Sequence, residues 1–99
     1  VNLPYNVPLP RRFAKAGWRV KVFDAEGPEV PHVTIRFKAI GWWRVSLRDG
    51  MFLVPGGSWN DIPSPVKAAI EDHWEQLQEY WDRENPQNPV SSAENEEDK

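Results

Sequence analysis

Residues 17–48 read GWRVKVFDAEGPEVPHVTIRFKAIGWWRVSLR, three runs in which apolar and polar residues alternate. At period two, Trp18, Val20 and Val22 share a face with Val33, Ile35 and Phe37 and with Trp43, Val45 and Leu47. Such alternation predicts strands with one side buried against a second layer. The opposite face collects Arg19, Lys21, His32, Thr34, Arg36, Lys38, Trp42, Arg44, Ser46 and Arg48 and carries no acid. The runs predict strands over 18–24, 32–38 and 42–48. Gly27-Pro28 and Pro31 bend the connection between the first two, and Ala39-Ile40-Gly41 makes the second. Asp49-Gly50 predicts a type I′ hairpin, with positive φ at both central residues, and a short fourth strand over 51–54.

Outward from the sheet, Ser64 caps and Pro65 opens a single long helix that runs to about Glu84, where Asn85-Pro86 ends it. Val66, Ala69, Ile70, Trp74, Leu77 and Trp81 recur at steps of three and four, so one stripe buries against the inner sheet face. Glu71, Asp72, Glu75, Glu79 and Asp82 form its solvated side. Before the helix, PGGSWNDIP (55–63) lacks the Lys-Ser or Lys-Thr pair of a phosphate loop and reads as a bend returning Trp59 to the core. At the start of the chain, VNLPYNVPLP favours extended backbone, and PRRFAKA allows a short helix stopped by Gly17. The expected fold is α+β: a three- to four-stranded antiparallel sheet with one long C-terminal helix packed on one face and a short N-terminal helix. The expected organisation is an extended N-terminal arm over 1–16, a single α+β domain over 17–84 and a disordered acidic tail over 85–99.

Ninety-nine residues, 39% of them hydrophobic and six of them tryptophan, suffice for one small core. The absence of cysteine excludes disulfides and thiolate zinc sites. No apolar run approaches the roughly 20 residues that span a bilayer, and no secretory leader is evident, so the expected location is cytoplasmic, away from membranes. The net charge of −3 conceals a polarity: residues 1–48 hold nine Lys or Arg against three acids, and residues 49–99 hold three against twelve. This asymmetry suits a polyanionic ligand or a pairing between the two halves.

The basic face, Arg19, Lys21, Arg36, Lys38, Trp42, Arg44 and Arg48, suits RNA or DNA, where cations neutralise phosphates and an aromatic stacks on a base. It equally suits an acidic partner protein, and strand cations also serve solubility alone by discouraging edge-to-edge aggregation. His32, near Glu29 and beside Thr34, is the candidate catalytic residue. An imidazole there could serve as acid or base in a small ribonuclease, with Arg36, Lys38 and Arg44 clamping phosphate. No nucleophile or paired acid accompanies it, and a histidine that only satisfies a hydrogen bond at the strand start is the simpler reading. His73 reads as a partly buried structural histidine. No metal site or cofactor is expected, and the sequence does not set the oligomeric state.

Gly17-Trp18-Arg19-Val20, Glu29 with Pro31-His32-Val33, a tryptophan strand, and a closing helix with Ile70, His73, Leu77 and Trp81 together resemble a family of small bacterial proteins of unknown function. Its hallmark is a strand begun by Glu-x-x-Pro-Pro-His-Val-His-Val, and its members often look like parts of toxin–antitoxin-type gene pairs. Here Val30 stands where the first proline is usual and Thr34 where the second histidine is usual. The second change argues against a two-histidine catalytic or metal site. With a helix at PRRFAKA, the element order is also similar to the double-stranded-RNA-binding-like fold of HicA-type ribonuclease toxins, a topological likeness that does not imply function. The resemblance implies a component of a toxin–antitoxin-like pair, and the basic sheet face suits RNA, DNA or an acidic protein as what it binds. A ribonuclease toxin and a plain protein-interaction domain are the alternatives.

Overall fold

The computed structural model describes residues 5–23, 29–53 and 55–91. Four strands form one antiparallel sheet: β1 (Tyr5–Asn6), β2 (Trp18–Val22), β3 (His32–Phe37) and β4 (Gly41–Ser46), in the order β1-β2-β3-β4. The helices are α1 (Arg11–Ala16), α2 (Ser64–Asp72) and α3 (Trp74–Glu84), with a 3-10 turn at Trp59–Asp61. This is an α+β fold. Registers of Val20 with Ile35 and of Ile35 with Trp43 and Val33 with Val45 put the alternating apolar residues on one face. Val66, Ile70, Leu77, Tyr80 and Trp81 from the helices close over that face as one buried cluster. Each fully buried aliphatic side chain contributes about 1.5–3 kcal/mol relative to exposure.

The fourth strand comes from the N-terminal arm. Tyr5 pairs with Val22 and Asn6 with Lys21, and the Val7 amide donates to the Val20 carbonyl at 2.9 Å. Residues 51–53 instead flank β4 through a single bridge between Val45 and Phe52; the expected strand's last residue, Val54, lies outside the described residues. The turn before them is also longer than a two-residue hairpin. Only Gly50 takes positive φ, at 73°, and the Gly50 amide donates to the Ser46 carbonyl. Asp49 instead accepts from the Met51 amide through its carboxylate. A side-chain acceptor thus replaces the strained backbone that a type I′ turn would demand of Asp49.

The expected single helix is broken at His73 (φ −108°, ψ 14°). The His73 amide donates to Ile70, tightening the turn, and its Nδ1–H donates to the Ala69 carbonyl at 2.9 Å. The ring therefore satisfies the carbonyl that the backbone abandons, which makes the break cheap. The buried stripe continues across it, so the periodicity conceals the kink. Glycine is required at two contacts. Gly17 ends α1 at φ 111°, and a Cβ on Gly41 would run into the Trp43 ring.

The expectation of a disordered segment from residue 85 is corrected over 85–91. Asn85 is buried and Val90 packs against the core. The Trp81 Nε1–H donates to the Asn88 carbonyl at 2.8 Å, the Asn88 amide side chain donates to Glu29 O at 2.6 Å, and the Val90 amide donates to Asp82. Residues 92–99, which hold all four acids of that segment, lie outside the described residues. Among the described residues no helix is long and apolar enough to cross a membrane.

Candidate nucleic-acid interface

Strand register arranges the outer face in rows. Arg19, Arg36 and Trp42 lie side by side, as do Lys21, Thr34 and Arg44, and then His32 and Ser46. Directly opposed side chains on one face stand about 4.5–5.5 Å apart at Cβ, so Arg36 and Trp42 are immediate neighbours. Thr34, flanked by Lys21 and Arg44 in its row, is buried. The Arg44 guanidinium lies 4.7 Å from the Trp42 ring centroid, and Trp42 is 52% exposed. Among the described residues the Glu29 carboxylate approaches this group, at 3.9 Å from Arg44. At that separation, with both side chains partly solvated, the pair contributes little.

The seven expected binding residues do not all share this surface. Arg36, Trp42, Arg44 and Lys21 do. Arg19 extends from the same face, but its guanidinium donates to the Ala14 and Trp18 carbonyls at 2.8 and 2.7 Å and so also caps the end of α1. Lys38 sits in the β3–β4 turn at φ 53°, with its ammonium 5.4 Å from the Phe37 ring. Turning out of the strand, it leaves the outer row. Arg48 follows β4 and is held by the C-terminal segment, donating to Val90 O at 2.9 Å and to Asn88 Oδ1 and Pro89 O at 3.2 Å. These bonds tie the guanidinium to the C-terminal segment, so Arg48 loses its reach over the outer face.

His32 belongs to the outer face by register, yet it is 1% exposed. Its Nδ1–H donates to the Val30 carbonyl at 2.7 Å, and its ring lies 5.6 Å from that of Trp81. This is a histidine built into the end of the sheet. Among the described residues no group of three His, Asp or Glu stands close enough to hold a metal ion.

An apolar border to the basic rows is the part that period-two reading of residues 17–48 missed. Because Phe52 opposes Val45 on the inner face, Met51 and Leu53 must point outward, and they are 65% and 42% exposed. With Val30, Val90 and Gln78 they line an open cleft of about 560 Å³ at the end of the sheet, and Arg48, Asp49 and Asp82 line it too, so its wall is half charged and polar. The signal was present in the alternation of Met51, Phe52 and Leu53, read onward through the turn. In the helical layer, which packs on the inner sheet face, Asp72, Glu75 and Glu79 are exposed, whereas Glu71 shares a cleft with Arg48 and Asp49. No protein-family model matches the sequence, and neither curated proteins nor solved structures include one significantly similar to it.

Proposed function

We propose that this protein is a non-enzymatic binding module that holds nucleic acid on the outer face of its sheet, as one component of a toxin–antitoxin-like pair. The observation that carries the reading is the cluster of Lys21, Arg36 and Arg44 around an exposed Trp42, on the face opposite an acidic helical layer. Such a distribution draws a polyanion to one side and repels it from the other, which fixes orientation as well as attraction. The cations supply sequence-independent affinity through counterion release. The gene-pair setting is supported by the resemblance carried by Glu29 and Pro31-His32-Val33. Growth on expressing the chain alone, with and without the neighbouring gene, examines that setting.

A ribonuclease reading is weaker, because an acid–base imidazole has to reach its substrate and His32 is enclosed against Trp81. The binding reading is tested by titrating labelled single- and double-stranded RNA and DNA across a salt series. Affinity should fall steeply with salt, and replacing Arg36 and Arg44 together by Gln should flatten the log–log slope by about 1.4 to 1.8, the value of two phosphate contacts. Should no nucleic acid bind even at low salt, the face would have to be reassigned to an acidic protein.

A further inference from the structure

Resting on the nucleic-acid reading above, we infer that the outer face takes single strands, with the Trp42 indole as the platform on which an unpaired base stacks. Trp42 is a large aromatic left 52% exposed as the second residue of β4. Among the described residues no other aromatic ring packs on it. One side of the indole is covered by the Arg44 guanidinium at 4.7 Å. That contact restrains the ring and leaves its other side for a ligand. The Nε of Arg44 is buried and has no hydrogen-bond acceptor among the described residues, and the guanidinium lies between the Trp42 ring and the Glu29 carboxylate at 3.9 Å.

Charge and stacking are adjacent here. Arg36 is the cross-strand neighbour of Trp42, and Lys21 lies two strands from Arg44 in the next row, about 10 Å away by strand spacing. A backbone running across β2 and β3 can meet these cations while one base reaches Trp42. The outward-facing Met51 and Leu53 continue exposed apolar surface past Arg44, up to the cleft that Asp49 and Asp82 also line. A duplex cannot use this arrangement, because its bases stack on one another and present only their edges. Single strands expose a π-face at every base, and the binding expected is therefore tolerant of sequence.

The test uses the full chain and fluorescence anisotropy with three probes: a short oligo-dT strand, a hairpin duplex with the same number of phosphates, and an abasic strand of the same length. The single strand should bind more tightly than the other two. Trp42→Ala should weaken oligo-dT binding about fivefold or more, consistent with loss of a stacked base. It should leave abasic-strand affinity and the salt slope unchanged, and Trp42→Phe should recover part of the loss. The side chain is exposed, so each variant should melt as the parent does. A duplex bound as tightly as oligo-dT, or a Trp42→Ala effect on oligo-dT below about twofold, overturns single-strand stacking while the nucleic-acid reading stands. No binding by any probe at low salt removes both.

Discussion

Replacing Trp81 by alanine tests the joint that holds the helical layer, the start of β3 and the C-terminal segment together. Trp81 is fully buried, its ring lies against His32, and its Nε1–H donates to Asn88 O. Truncating a buried Trp costs about 3–5 kcal/mol through lost transfer energy and the cavity left behind. Losing the indole donor also leaves the Asn88 carbonyl to find another partner. Against a total stability of about 5–15 kcal/mol, this is a large fraction, and at about 4–8 °C per kcal/mol for a domain of this size the melting temperature should fall by at least about 12 °C. Urea unfolding followed by far-ultraviolet circular dichroism measures the loss. Limited proteolysis should show new cleavage within 86–91, because the segment loses its anchor. Trp81→Phe retains an aromatic body but no N–H and should fall between the two. If Trp81→Ala lies within about 1 kcal/mol of the parent and residues 86–91 stay protected, the packing described for this end of the sheet is wrong.

Gly41→Ala should destabilise by about 1–3 kcal/mol, since a Cβ there meets the Trp43 ring and must disturb its stack with Trp18; an unchanged urea midpoint would contradict that contact. Lys38→Gly should stabilise by about 0.5–1 kcal/mol by relieving the positive φ of a non-glycine residue, and calorimetry showing a loss would mean that the Lys38 contact with Phe37 outweighs the strain. Leu77→Ala should cost about 3 kcal/mol, whereas Glu79→Ala, on the exposed side of the same helix, should stay within about 0.5 kcal/mol. Equal effects at the two positions would mean that α3 has been given the wrong face. Truncation after Pro86 should lower the thermal midpoint, because it strips the acceptors from Trp81 and Arg48; an unchanged midpoint would show that residues 87–91 contribute nothing.

The amino-acid sequence alone determined the inner sheet face and the buried stripe of the helices. Trp18, Val20, Val22, Val33, Ile35, Val45 and Leu47, with Val66, Ile70, Leu77 and Trp81, are all buried. Periodicity is local, so these assignments did not depend on knowing which element packs on which. It also put Lys21, Arg36, Trp42 and Arg44 on one side. Only the tertiary structure decided what comes to rest against each group from far along the chain. Arg48 is taken by carbonyls some forty residues later, Arg19 by the end of α1, and His32 is enclosed beside Trp81. The β1 pairing and the docking of residues 85–91 escaped notice for the same reason. Short polar or proline-rich segments have no period of their own, and their order is conferred by partners that already hold the sheet and helices in place. The break at His73 was hidden because the apolar stripe runs through it unchanged, and only the imidazole bond to Ala69 makes the kink visible.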